Sequence, residues 1–475
     1  MVDRELVGKR PNFRPERKGS SFFRILIWLG LILAVLWIFL SLQRGQMISP
    51  LKPTPTPTRM AESYFLEAQA YFNAGKLDDP SNDTPGPEVP LINDAIDAYK
   101  AALQGDPTNA QAWADLARIQ VYSTNMLQTD TAKFRRLEEA LNSANRAVEL
   151  APDDSRVHSI RAFVLDWYAY NPLVPNEQTS ELLSEAELEA SRAIQLDPDN
   201  TLALAFYAEI LADQSKWLQA EKYAAQAVEK DPASMDAHRV YAYVLETLGQ
   251  YKAAIEQYQK AADIAPNQTF LYVRIGVNYR EGIKNPDRAL EYFDQAARIN
   301  SQLGIENPLP YIEIARTYTQ LGQFFAASRN AEKALQLDNQ NAHTYGQLGI
   351  IFRRARNYEG AMPLLKCAVS GCTVAENEMG KMAVEGLPLS SLTVAYYYVE
   401  YGTNLAFLSR PNENYCPEAL PILRQVRQAY PNDTSLMDIV ADSEGICRRL
   451  QGGSQPATPT PTPEPGMEIT PTPSM

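Results

Sequence analysis

Four cysteines and three histidines are the residues of this 475-residue chain best suited to chemistry, and their spacing limits what that chemistry is. Cys367, Cys372, Cys416 and Cys447 all lie towards the C-terminus. None forms a Cys-x-x-Cys knuckle, so they do not read as a zinc site. An even count suits two disulfides in an oxidising space, with three pairings open. His158, His238 and His343 stand singly, and no HExxH, GxSxG, GxxxxGK[ST] or GxGxxG pattern occurs. The sequence therefore predicts no catalytic residue, no cofactor and no metal. Asp78, Asp79, Asn82 and Asp83 offer oxygens for calcium but lack the order of a calcium loop, and read as a solvated acidic loop. Asn82, Asn267 and Asn432 each open an Asn-x-Thr acceptor frame for glycosylation.

The elements that carry these residues are helical. In Ser234 to Pro266, apolar and small residues recur at three and four: Val240, Tyr241, Val244, Leu245 and Leu248, then Tyr251, Ala254, Ile255, Tyr258, Ala261 and Ala262. Gly249 supplies a left-handed cap between the two runs, and Pro266 stops the second. Ala242, Ala254 and Ala261 allow the axes to approach, so the unit is a helical hairpin. The stop recurs every 34 residues, at Pro198, Pro232 and Pro266. That period marks a solenoid. Six residues beyond a stop comes a ring, as at Trp113, His158, His238, Tyr272 and Tyr345, usually with a hydrophobe three further on.

Tyr272, Ile275, Gly276, Tyr279, Ala289, Phe293 and Ala296 match the tetratricopeptide-repeat pattern almost fully. The chain resembles that family, which implies an all-α right-handed superhelical solenoid. Counting stops predicts about nine hairpins over residues 61–450, closed by a cap helix from Ser435 to Leu450. The extra length of the units ending at Pro152 and Pro198 is expected between their helices, around Thr124 and Asn171.

Charge and hydropathy place the array. The formal net charge is −13, although ten of the 44 bases and three of the 57 acids fall in the first 59 residues. The acidic remainder repels phosphate backbones, which excludes nucleic acid as a partner. Ile25 to Leu42 runs 18 residues without a charge. We read residues 22–43 as one transmembrane helix, uncleaved, with residues 1–21 as a basic cytoplasmic tail. The excess of Arg and Lys before the span puts the repeats outside the cytoplasm. Residues 44–60 form a stiff Pro/Thr-rich linker, and residues 451–475 a Pro/Thr-rich tail that cannot bury a core.

The family resemblance also implies where partners would bind: along the first helix of each hairpin, on the concave side. Mapped here, that groove comprises Phe65, Gln69, Arg118, Phe163, Arg239, Tyr243, Val273, Val277, Arg280, Ile312, Arg316, Ile350, Arg353 and Arg354. No Lys and Asn stand four apart on such a helix, the pair that chaperone-binding relatives use, so chaperone tails are not expected. Arginine and aromatic residues among aliphatics suit protein or peptide partners, and Arg280, Arg316 and Arg354 would form a carboxylate-reading patch. Repeat geometry further implies Cys367 with Cys372 and Cys416 with Cys447. The resulting expectation is a membrane-anchored, extracytoplasmic scaffold without enzymatic activity, serving envelope assembly or client holding. Two alternatives are a cytoplasm-facing regulator of envelope biosynthesis, and an enzyme or sugar-binding subunit whose active residues lie in the inter-helix insertions.

Overall fold

A computed structural model describes residues 26–33, 59–78, 92–127 and 129–450. Residues 1–59 and 60–475 form separate units. In the first, residues 26–33 are helical with exposed Leu26, Ile27, Trp28, Leu29, Leu31, Ile32 and Leu33. The rest of the expected span at 22–43 lies outside the described residues, as do the basic tail, nearly all of the linker and the C-terminal tail. Among the described residues no helix is long and apolar enough to cross a membrane.

The second unit is a row of helical hairpins. They are α1 (Ala61–Asn73) with α2 (Ala95–Gly105), α3 (Ala110–Ser123) with α4 (Asp130–Leu150), and α5 (Ser155–Ala169) with α6 (Asn176–Leu196). Next come α7 (Thr201–Asp213) with α8 (Trp217–Lys230), α9 (Met235–Thr247) with α10 (Tyr251–Ile264), and α11 (Thr269–Val277) with α12 (Pro286–Leu303). The last three are α13 (Leu309–Gln320) with α14 (Phe324–Leu337), α15 (Ala342–Arg354) with α16 (Tyr358–Ser370), and α17 (Leu392–Leu408) with α18 (Cys416–Ala429). A final helix, α19 (Thr434–Leu450), covers the end. Among the described residues there is no strand, only two isolated bridges, one of them joining Cys372 to Val384.

Each junction between hairpins is a short polar program written in the sequence. Asp106, Asp197 and Asp231 accept a hydrogen bond from the backbone N–H two residues on, making an Asx-type turn around the stop proline. Asn109, Asp154, Asn200 and Ser234 then cap the next helix through its first free N–H groups. Finally the ring six residues past the stop reaches back. Trp113 donates to the Pro107 carbonyl at 3.0 Å, Tyr272 to Pro266 at 3.0 Å and Tyr345 to Asn339 at 2.8 Å. His158 and His238 make the same contact to Pro152 and Pro232, at 2.8 and 3.0 Å. The spacing of six thus marks a clamp that satisfies a carbonyl left free at the end of a helix.

Within hairpins the second helix presents alanine to the first: Ala220, Ala224 and Ala227, then Ala289 and Ala296, then Ala327, Ala331 and Ala334 are all buried. Gly276 carries this further, since a Cβ there would lie 2.4 Å from the Phe293 ring. Two expectations need correcting. The extra length of the second and third units is not all between helices, because α4 and α6 are 21 residues each against 14 for α8 and α10. The last turns of α11 also do not continue as regular helix: Asn278 to Gly282 form a π-helical turn, packed where Gly282 leaves room for the Tyr251 ring.

His158 extends its clamp into a half-buried ion pair. Its other ring nitrogen lies 2.6 Å from Glu189, which also meets Arg161 at 2.6 Å. Both ring nitrogens therefore face acceptors, and the hydrogen bond to Glu189 holds the imidazole above its ordinary value of 6.5 against the opposing effect of burial. Burial pushes Glu189 up, but His158 and Arg161 outweigh it and hold that carboxyl low. Because the folded-state value is raised, the stabilisation is complete below 6.5 and is lost as pH rises through the folded value. Urea midpoints measured at mildly acid and mildly alkaline pH should fall more for the native chain than for His158→Gln, and equal slopes would remove His158 from the account.

Candidate functional site

The inner faces of the first helices do not line an open channel in the N-terminal half, because they meet on the axis. The centre is Tyr122 of α3. Its hydroxyl donates to the Asp236 carboxylate of α9 across 114 positions of sequence. Arg239, one turn on in α9, donates to the Tyr122 oxygen at 3.1 Å and forks onto Glu209 of α7 at 2.8 and 2.6 Å. Arg118, one turn before Tyr122, closes on Asp236 at 2.9 Å. Rings fill the remaining space. Tyr122 stacks on Phe270 of α11 at 5.6 Å and meets Phe163 of α5 at 5.5 Å, while Arg118 lies 4.9 Å over Phe72 of α1. Six successive hairpins thus contribute to one buried cluster.

The electrostatics follow from that geometry. Burial pushes the Asp236 carboxyl up, but Arg118 and Arg239 outweigh it and hold it below its usual value. Burial raises the Tyr122 phenol far out of the physiological range, so it stays a donor. Two cations face two carboxylates, and the bidentate Arg239–Glu209 fork fixes the orientation. The first hairpin is drawn onto the sixth in the same way. Gln268 donates to the Phe72 carbonyl at 2.8 Å, and Gly75, at φ +79°, sits where a Cβ would be 2.5 Å from the Asn267 oxygen. Only a residue without a Cβ fits that left-handed turn at that distance.

Beyond the cluster the axis opens into a cavity of about 1170 Å³. Its lining includes Asp166, Trp167, Asp213, Tyr243, Arg280, Glu313, Arg316, His343 and Tyr397, from hairpins two to nine. At its far side Ser391, the N-cap of α17, donates to Asp130 at the start of α4 at 3.0 Å. His343 is buried there, edge-on to Tyr397 at 5.8 Å, and burial lowers its pKa first of all.

The residues mapped to the groove therefore divide. Arg118, Phe163 and Arg239 come together in the cluster, while Tyr243, Val273, Val277, Arg280 and Arg316 line the cavity. Phe65 packs edge-on to Tyr99 of its own hairpin, Gln69 is exposed, Ile312 is buried in the second core and Ile350 is half-buried. Arg353 pairs with Glu400, and Arg354 is exposed. The arginines at 280, 316 and 354 do not form a free carboxylate-reading patch. Arg280 is 5% exposed and closes on Glu313 at 2.6 Å and Glu281 at 2.8 Å, and Arg316 joins Glu313 at 2.9 Å. The π-helical turn carries Arg280 in that direction. The residues that spacing did not single out as a set are Tyr122, Asp236, Asp166 and Asp213. Each is a polar residue on an otherwise apolar face of a first helix, and that was the only signal available.

Cys367 is bonded to Cys372 and Cys416 to Cys447, with Cα separations of 4.7 and 5.5 Å. The first bond closes the corner at the end of α16, where Asn377 also donates to the Tyr345 hydroxyl at 2.7 Å. The second ties α18 to the cap helix. Asp78 of the acidic loop pairs with Arg136 at 2.8 Å; Asp79, Asn82 and Asp83 lie outside the described residues.

Comparison with known proteins agrees with this architecture. Tetratricopeptide-repeat family models match residues 208–269 and 310–341. The mitochondrial import receptor subunit TOM70 of Rattus norvegicus is 25% identical over 233 residues, 47% of this chain and 34% of that protein. The Homo sapiens protein of the same name is 25% identical over 165 residues, 33% of this chain and 25% of its own length. The matches thus span about a quarter to a third of these curated relatives. A thermophilic tetratricopeptide-repeat protein of Thermus thermophilus is 17% identical, covering 46% of this chain and 98% of that one with a TM-score of 0.36. The chain carries tetratricopeptide repeats.

Removing one member of the axial cluster strands a buried charge. Asp236→Asn leaves Arg118 and Arg239 facing one carboxylate, and is expected to cost about 3–5 kcal/mol in urea unfolding. A loss within about 0.5 kcal/mol, the range of an ordinary surface substitution, would show that the cluster does not hold the hairpins.

Proposed function

We propose that this tetratricopeptide-repeat chain is a scaffold, anchored in a membrane through residues 22–43 and presenting its solenoid outside the cytoplasm to protein or peptide partners. The observation that carries the reading is the cysteine arrangement. All four cysteines stand in buried, bonded pairs at the far end of the solenoid, and none is free. Paired structural cysteines belong to oxidising compartments, the side to which the basic flank of the apolar stretch assigns the repeats.

The absence of catalytic motifs from the sequence supports a binding role, and so do the named receptors among the relatives. The place for a partner is the cavity and its mouth, since the axial cluster fills the axis beside it. A partner segment would enter there instead of running the whole length of the solenoid. Gathering partners near a bilayer then needs no chemistry from the scaffold, only a rigid surface held at a fixed place.

Thiol accessibility tests this topology. A membrane-impermeant maleimide applied to intact cells should label Cys367, Cys372, Cys416 and Cys447 only after reduction, with mass spectrometry recovering the two native links. Thiols that react without reduction, and only once the cells are lysed, would place the repeats in the cytoplasm and overturn the reading.

A further inference from the structure

At one pole of the cavity two carboxyl groups meet no cation at ion-pair distance among the described residues. Around its wall Glu209 is held by Arg239, and Glu313 by Arg280 and Arg316. Glu281 meets Arg280 and Lys284, while Asp130 accepts from Ser391. Asp166 and Asp213 have no ion-pair partner among the described residues and, unlike Asp130 with Lys133 beside it, each faces a second carboxyl. Their carboxyl groups lie against each other, so that one proton can be shared between them. Asp213 also accepts from the Tyr243 hydroxyl, and its backbone carbonyl accepts from Tyr170 at 2.8 Å. Oδ1 of Asp166 is buried without a hydrogen-bond donor, on a residue only 1% exposed. A polar atom left unpaired in such a place costs free energy, unless something that arrives later pairs with it.

What surrounds the two acids indicates what arrives. Trp167, Tyr170, Trp217 and Tyr243 line the same cavity, and Tyr170 and Trp217 remain 50% and 38% exposed at its mouth. Asp213 is the last residue of α7 and Asp166 lies in the last turn of α5, so two helix ends with partial negative charge converge there. Aromatic faces and carboxylates together favour an organic cation. An inorganic ion is disfavoured, because no group of three or more metal-ligating His, Cys, Asp or Glu converges among the described residues.

We propose that this pole binds an alkylammonium group, the end of a lysine side chain or of a free diamine. Its N–H groups donate to the Asp166 and Asp213 carboxyl groups, and its methylenes lie against the tryptophan and tyrosine rings. The proposal rests on reading the cavity as the chain's binding surface, and specifies what it takes.

Proton linkage gives the proposal its own signature. Burial pushes both carboxyls up; the charges of Asp213 and Glu209 add to this at Asp166, and at Asp213 the value reaches about 6 with help from Glu209, against the opposing hydrogen bonds of Tyr243 and Asp166 and the pull of Arg239. With the site empty the pair keeps a proton that an ammonium group replaces. Binding therefore releases a proton and tightens as pH rises through that range.

Isothermal titration of the purified full chain decides the matter, using cadaverine and a short lysine-containing peptide as probes at about pH 8 and about pH 5. Native protein should bind at the higher pH and about ten-fold or more weaker at the lower, with a similar loss in Asp166→Asn and Asp213→Asn. Asparagine resembles the protonated acid, so melting temperatures should be kept; should one variant fail to fold, the other carries the test. Cadaverine binding alone identifies a small free amine, peptide binding alone a partner's lysine, and either supports the pole. Failure of both probes to bind native protein, a smaller loss in every folded variant, or equal binding of uncharged pentanediol would overturn it. None of these outcomes bears on membrane topology, which the thiol experiment tests separately.

Discussion

The contact on which the rest of the structure depends is the buried junction of Tyr122, Asp236, Arg239 and Glu209. Taking four charged groups, Arg118 included, out of water is expensive, and the expense is met only if every partner is in place. That requirement gives the cluster its structural authority. A solenoid of repeats is ordinarily a sum of neighbour interactions, with little to tie one end to the other. Here α3 must meet α9 or the charges stay unpaired, and α1 reaches the turn before α11 through a neutral hydrogen bond. Nearest-neighbour stacking builds the row of hairpins, and the axial cluster sets how tightly the row winds.

Much of the row was legible because its determinants are local. Asx turns, stop prolines, caps and the ring six residues beyond all act within a few positions, so their spacing survives as a pattern in the sequence. The count of nine hairpins and a closing helix followed from that alone. The interior was not legible for the opposite reason. Tyr122 and Asp236 are 114 residues apart, Ser391 and Asp130 are 261 apart, and no periodicity relates them. Arg280 illustrates the difference. Regular helical spacing made it one of a row of exposed arginines, but the π-helical turn from Asn278 redirects it into Glu313.

Winding the row tightly has a functional consequence. It removes the long open groove that the family resemblance implies, and leaves a cavity walled by hairpins two to nine. Most of the charged side chains in the walls are ion-paired, which holds shape without attracting ligands. Against that background the two acids without an ion-pair partner and four rings form a distinctive recognition feature among the described residues. The disulfides act at the other end of the same body, where the cap would otherwise depend on a single helix packing over Thr403 and its neighbours. A closed, stapled body suits the scaffold role proposed for it.

The most direct test of this account is the distance between the first and fifth hairpins in solution. Nitroxide labels at Ala70 and Asp263, both exposed and flanking the contact between Phe72 and Gln268, can be read by pulsed electron resonance because the native cysteines are already paired. A single narrow distribution at short separation is the predicted result. A broad distribution reaching the lengths of an openly wound repeat array would mean that the axial cluster does not close the solenoid, and the cavity built on it would fall with it.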